Sequence, residues 1–155
     1  MENIIEIVPF TDELSSHFSA LNTAWVTKYF KLEPIDERML ANPKQSYIDN
    51  GGLIFFALLD NEVAGTFALL KVSDTVYELS KMAVYEKFQG KHIGNKMLEY
   101  CLIEAKKMKL EKLILYSNTL LNPAIHLYKK YGFIEVIGFQ SEYKRANIKM
   151  EIVII

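Results

Sequence analysis

Cysteine is almost absent from this chain: Cys101 stands alone, which excludes an internal disulfide and any metal site built on paired thiolates. Long hydrophobic runs are missing too. The apolar stretch from Leu53 to Leu59 falls far short of the roughly 20 residues that cross a bilayer, so no membrane span is expected. Met1-Glu2-Asn3 has neither the basic start nor the apolar segment of a signal peptide, and a reducing cytoplasm is the expected location. No sign of charge dominates. With 18 Lys and Arg against 19 Asp and Glu and a net charge of -1, the chain offers no basic face for nucleic acid. The 3 histidines, His17, His92 and His126, have no ligand-like spacing, so no metal is expected. The sequence also lacks G-x-x-x-x-G-K-[ST], which excludes a P-loop hydrolase, and no G-x-G-x-x-G follows its first strand.

What is present fits one ordinary globular core. Half the residues are apolar and 24% are charged, and 155 residues suit a single domain spanning 1–155. Thr11 is placed to N-cap a helix in which Asp12 and Glu13 suit the first turn and Leu14, Phe18, Leu21 and Trp25 recur at helical spacing. Pro34 interrupts, Asp36 is expected to cap a short second helix through Met39 and Leu40, and Asn42-Pro43 stops it. Leu53 to Leu59 and Val63 to Val72, separated by Asp60-Asn61, read as a β-hairpin, and a third strand runs from Tyr77 to Tyr85. Ile93, Met97, Leu98, Cys101, Leu102, Ala105 and Met108 then mark one face of a helix ending near Lys109. After a strand from Lys112 to Tyr116, Asn122-Pro123 opens a helix that Gly132 closes, with Asn122 as N-cap. Strands Phe133 to Phe139 and Ile148 to Ile155 complete an α/β fold, expected as a mixed sheet flanked by helices with a parallel portion at the crossovers.

The turn Gln89-Gly90-Lys91-His92-Ile93-Gly94 carries the chemistry. A strand that runs through a glycine-bearing turn into a helix leaves backbone N–H groups unpaired where the helix dipole favours negative charge. Lys87, Lys91, His92 and Lys96 surround it with cationic or hydrogen-bonding groups. The residues alone leave two accounts open: an anion site, or glycines required only by the sterics of the turn.

Two motifs, in order, resemble the GNAT superfamily of N-acetyltransferases. Gln89, Gly94 and the flanking Val84, Gly90, Ile93, Met97 and Leu98 fit the family's cofactor motif, although His92 stands at its first glycine. The run from Asn122 to Phe133 is similar to the family's A-x-x-L-Y-x-x-x-G-F helix. The resemblance covers roughly residues 50 to 140 and implies transfer of an acetyl group from acetyl-CoA to a primary amine of a small molecule or peptide, in a ternary complex. It implies cofactor contacts from Met82, Ala83, Val84, Gln89, Gly90, Lys91, His92, Ile93, Gly94, Asn95, Asn118 and Asn122, with capping as an alternative role for Asn122. It places a base at Glu78, which simple alternation puts on one face with Ser80, Met82 and Val84, roughly 20 Å from the turn.

An acceptor amine with a pKa near 10 has to lose a proton, which calls for a base such as Glu78, and a departing thiolate gains from an acid. The resemblance assigns the acid to Tyr128. A tyrosine packed at the sheet edge and a glutamate on a solvated strand face are the structural alternatives. Trp25, Tyr29 and Glu33 are the candidate acceptor contacts, and acidic Glu33 or Asp36 would attract a cationic amine. The alternative there is a core tryptophan beside a solvated helix junction. Cys101 is expected in the core and His126 at an ordinary helix position. A monomer or homodimer is expected. A non-catalytic acyl-CoA sensor or partner module on the same fold is the competing function.

Overall fold

The computed structural model describes residues 4–154. Met1-Glu2-Asn3 and Ile155 lie outside the described residues. A 7-stranded sheet runs in the order β1-β2-β3-β4-β5-β7-β6, built from β1 (Ile5–Pro9), β2 (Leu53–Leu59), β3 (Glu62–Lys71), β4 (Val76–Val84), β5 (Lys112–Ser117), β6 (Ile134–Val136) and β7 (Ile148–Val153). Every neighbouring pair is antiparallel except β4 and β5, the pair joined through a helix. Helices α1 (Ser15–Tyr29) and α2 (Pro34–Ala41) precede the hairpin, and α3 (Ile93–Lys107) and α4 (Asn122–Lys130) flank β5 in sequence. Among the described residues, no helix is long and apolar enough to cross a membrane.

Two cores sandwich the sheet. On one face Phe18 of α1, Leu40 of α2 and Tyr47 close over Ile54, Phe56 and Ala68. On the other, Met97, Leu98, Cys101 and Ala105 of α3 and Ile125 of α4 pack on Phe67, Leu69, Leu113 and Met150. The helical periodicity around Cys101 thus marks the buried stripe as expected. Burial pushes the Cys101 thiol up to about 12, so it stays a protonated core residue.

Several expectations need correction. The chain opens with strand β1, not with a helix; Ile5, Glu6, Ile7 and Val8 alternate across the outer edge beside β2, and Pro9 ends it where a missing N–H costs least. Thr11 makes no side-chain cap: it precedes a 3₁₀ turn, Asp12–Leu14, and accepts from the Leu14 N–H through its carbonyl at 3.0 Å. The second helix begins at Pro34, whose fixed φ suits a first helical position. Asp36 therefore lies inside it, and its Oδ2 accepts from the Glu33 N–H at 2.9 Å. A π-helical turn, Lys44–Ile48, completes the broken helical segment. Asn122 is the first residue of α4, not its cap, and makes no side-chain cap bond. The strand expected from Phe133 to Phe139 shrinks to Ile134–Val136; Phe133 is buried in the core, and Gly138 turns the chain away at φ 72°.

Candidate active site

The site begins with one extra residue in β4. Ala68 pairs with Ser80, but Thr66 pairs with Ala83, so three residues of β4 advance against two of β3. Lys81 absorbs the insertion at φ 54°, the signature of a bulge. Because side chains alternate, the insertion reverses the faces beyond it. Glu78 and Ser80 share a face with Ala83, and Val84 moves to the opposite side, overturning the simple alternation that grouped it with Glu78.

The bulge coincides with a parting of strands. β4 and β5 pair only over Val76↔Lys112, Tyr77↔Leu113 and Glu78↔Ile114. Beyond Glu78, β4 stays with β3 as far as Gly65↔Val84, while β5 stays with β7 as far as Ser117↔Ile148. Residues 79–84 therefore border a wedge whose inner backbone edge has no strand partner. A cavity of about 480 Å³ fills it, within the range of small-molecule sites.

The glycine-bearing turn closes the far end. A 3₁₀ turn, Glu86–Phe88, leads into extended Gln89, then Gly90 at φ 81°, then His92 at φ 63° and ψ 24° immediately before α3. The left-handed backbone at His92 explains why the family motif has a glycine there: an L side chain at such a φ costs energy, and histidine is among the residues that tolerate it. A Cβ on Gly90 would meet nothing within 4 Å, so its glycine serves the positive φ. Gly94 serves packing, since a Cβ there would stand 3.3 Å from Leu127. The first N–H groups of α3 have no carbonyl a turn earlier to bond, an arrangement that suits an anion.

Of the candidate cofactor residues, Met82, Ala83, Val84, Gln89, Gly94, Asn95 and Asn118 line the cavity; Gly90, Lys91, His92, Ile93 and Asn122 do not. Ile93 is 2% exposed and its side chain belongs to the core, leaving only its N–H for the turn. Lys87 is turned to Glu62 at 2.7 Å. Asn118 is spoken for on both sides: Nδ2 donates to the Arg145 carbonyl at 2.6 Å and Oδ1 accepts from the Leu120 N–H at 2.9 Å.

Glu78 and Tyr128 line the same cavity. Glu78 is 9% exposed. Burial, helped by the charge of Glu142 and opposed by Lys81 and Lys149, lifts its carboxyl to about 7. A carboxyl in that range exchanges protons near neutrality, as a general base must. Tyr128 packs edge-on against Phe133 at 5.9 Å between ring centres, and burial raises its phenol to about 12. It stays protonated throughout the neutral range and is available as a donor.

Beside Glu78 lies an ion cluster no local pattern announces. Asp36, fully buried, accepts from Arg145 Nη1 and Nη2 at 2.6 and 2.8 Å and from Lys81 Nζ at 2.7 Å. Glu33 accepts from Arg145 Nη1 at 3.1 Å and from the Lys144 N–H at 2.8 Å. Lys81 Nζ and the Arg145 guanidinium each stand 4.7 Å from the Tyr143 ring centre. Burial acts to raise the Asp36 carboxyl, but the bonds from Arg145 and Lys81 outweigh it and hold it at about 2. The expected pull of Glu33 and Asp36 on an amine is thus corrected: neither lines the cavity, and their charges are matched by Arg145 and Lys81. Trp25 and Tyr29 do line it, joined by Phe30, Lys81, Tyr116, Tyr143 and Arg145, which the sequence did not single out. A lysine in the middle of an apolar strand was the one available signal for Lys81; Tyr143 and Arg145 gave none.

The chain is similar to known proteins over most of its length. The family model described as "Acetyltransferase (GNAT) family" matches residues 15–133. YvbK, an uncharacterized N-acetyltransferase of Bacillus subtilis strain 168, is 30% identical over 107 residues, covering 65% of this chain and 67% of that protein. Among solved structures, a GNAT-family acetyltransferase from Staphylococcus aureus Mu50 superposes with a TM-score of 0.87 at 18% identity, over 97% of this chain and 99% of its own. The yncA protein of Salmonella typhimurium, solved with its cofactor acetyl-CoA, reaches a TM-score of 0.76 at 14% identity, over 97% and 94% of the two chains. The fold, the open wedge, the glycine-bearing turn and the family match agree: this chain belongs to the GNAT family of acetyltransferases.

Proposed function

We propose that the protein transfers the acetyl group of acetyl-CoA to a primary amine of a small molecule or peptide, by direct attack within a ternary complex. One observation carries the proposal. Glu78 and Tyr128 line one cavity, at the wedge where β4 offers an unpaired backbone edge. Such an edge suits an amide-bearing arm, which can pair with strand backbone, and residues 82–84 supply it. The N–H groups at the start of α3 suit a pyrophosphate, and Gln89, Gly94 and Asn95 face the same space. Acetyl-CoA supplies an acyl group activated as a thioester.

The residues of the chain do the rest. Glu78 takes the ammonium proton, directly or through one water, and releases it to solvent; the neutral amine attacks the thioester carbonyl, and the second proton that its nitrogen then loses replaces the one Tyr128 gives to sulfur. The new bond is C–N and the broken bond is C–S. Tyr128 donates a hydrogen bond, and then a proton, to the departing sulfur, whose thiol pKa near 8.5 makes a bare thiolate a poor product at neutral pH. The acetyl-CoA complex of the yncA protein supports the cofactor assignment. The spermidine N-acetyltransferase of Vibrio cholerae, solved with CoA and spermine at a TM-score of 0.74 and 19% identity, supports an amine as acceptor without specifying which. Incubating the protein with acetyl-CoA and a panel of amines while following free thiol tests the proposal. Amine-dependent thiol release is expected; tight acetyl-CoA binding without release for any amine would make the protein a sensor.

A further inference from the structure

Lys81 stands where a side chain costs energy. Its φ of 54° is left-handed backbone, which glycine adopts freely and other L residues adopt under strain. Among the described residues the other non-glycines with a positive φ, Asp60, Asn61, His92 and Lys109, are exposed, whereas Lys81 lies inside a strand. Strain kept at such a place points to a use for the side chain. The bulge also decides where that side chain goes. Plain alternation sends residue 81 to the α3 face with Leu79, which belongs to that core. Instead the Lys81 side chain, 4% exposed, runs on the α2 face and its Nζ donates to Asp36 Oδ1 at 2.7 Å. This is the face of Ser80, whose partner Ala68 packs with Leu40 of α2, and therefore of Glu78. Lys81 and Glu78 line the same cavity.

The other groups around Glu78 define what this ammonium does. Lys149 of β7 also favours its ionised form, and Glu142, between β6 and β7, opposes it. The phenols of Tyr47, Tyr116 and Tyr143 feel its charge, are all raised, and stay protonated at neutral pH. Asp36 and Arg145 stand behind Lys81, bonded to each other at 2.6 and 2.8 Å. Lys149 is partly exposed, with Nζ 5.8 Å from the Tyr116 ring centre, and Glu142 is exposed. Solvent screens both of those charges, while an enclosed charge acts at a lower effective dielectric. Lys81 is thus the enclosed cation acting on Glu78. Burial lowers its own ammonium, and the Asp36 carboxylate opposes that loss.

We propose that Lys81, turned onto the Glu78 face by the bulge and held there by Asp36, is a positioning residue whose ammonium keeps the base ionised against its burial. The proposal rests on the reading of Glu78 as the base and deepens it. It is tested by pH profiles of kcat for the unaltered protein, Lys81→Met and Lys81→Arg at saturating substrates. Lys81→Met is expected to lose about tenfold at about pH 6 and less than about twofold at about pH 9, because the acid limb moves upward. Lys81→Arg keeps the charge and is expected to stay within about threefold of the unaltered protein at both. Equal losses at the two pH values in Lys81→Met overturn the proposal, since a charge that only fastens the fold acts that way, and so does a Lys81→Arg profile matching that of Lys81→Met. Lys81→Gly repeats the test in a variant suited to fold: its backbone favours glycine, and Arg145 still offers Asp36 two donors. Infrared titration of the free protein, with the Glu78 carboxyl band identified by its loss in Glu78→Gln, reads the coupling without turnover. Removing the Lys81 charge is expected to tighten proton binding at Glu78 about tenfold. An unmoved band overturns the proposal whether or not any amine is acetylated. A moved band with no thiol release for any amine overturns the transferase assignment and leaves the coupling of Lys81 to Glu78 standing.

Discussion

As the base of the proposed reaction, Glu78 would couple activity to stability through a single proton. Its carboxyl sits at about 7 in the folded chain against about 4.3 when unfolded, so the folded state holds a proton that the unfolded state has lost between those values. The contribution to stability is complete below about pH 4.3 and declines as pH rises through about 7. Activity moves the opposite way, because a base works only when ionised. Glu78→Gln is therefore expected to lower kcat by about 10²-fold or more and to abolish the rise of rate through neutral pH. The same variant is expected to be more stable at pH 8 by about 1–3 kcal/mol. Steady-state pH profiles and denaturant midpoints check the two halves separately. Tyr128→Phe is expected to cut kcat by a similar factor and to leave acetyl-CoA affinity, measured by calorimetry, within about twofold.

His92 illustrates how a motif departure acquires physical meaning. Its position requires left-handed backbone, so His92→Gly is expected to stabilise the protein by about 0.5–1 kcal/mol, the release of backbone strain less the entropy of a glycine. Acetyl-CoA affinity should hold or improve. A loss above about threefold would show the imidazole contributing to anion binding beyond the turn's N–H groups.

At the scale of elements, Asp36 joins three pieces of chain distant in sequence: the start of α2, the bulge of β4 and the segment leading to β7. Removing its charge leaves Lys81 and Arg145 facing each other with too few acids. Asp36→Asn is accordingly expected to cost about 3–5 kcal/mol and to raise KM for the acceptor more than for acetyl-CoA. Thermal melts and two-substrate kinetics check both. The sign with pH is opposite to that of Glu78: a carboxyl held at about 2 contributes stability above about pH 4 that is lost as pH falls toward 2.

The elements also show what a sequence can carry. The apolar periodicity of α3, the hairpin of β2 and β3 and the two glycine turns are local patterns, and each was legible. The positions of Glu78 and Tyr128 entered through the family resemblance. Strand β1 escaped because five residues at a sheet edge, half buried and ending in proline, carry little pattern of their own. The bulge at Lys81 escaped because a bulge is a relation between two strands, fixed only when β3 sets the register. The ion cluster escaped for the same reason, with partners up to 112 positions apart. Its acids looked available in the sequence because their cations lay elsewhere along the chain.

On the scale of the whole molecule, the sheet is two sheets. Strands β1 to β4 form one antiparallel unit and β5, β7 and β6 another, and three residue pairs join them at one end of the seam. The Asp36 cluster spans the seam from Lys81 to Arg145. Beyond the paired end, residues 79–84 have a row of backbone groups on the β5 side that a ligand can pair. In the proposed complex acetyl-CoA would act as a missing strand, and completing the sheet would be part of binding. The melting temperature is expected to rise with acetyl-CoA concentration, with about 2.7 kcal/mol added at one hundred times Kd. Deuterium uptake in residues 79–84 should slow far more than in β2 or β7. A substrate that finishes the architecture leaves a weaker seam each time product departs, so turnover should pass through a breathing of the sheet that hydrogen exchange in the free protein can time.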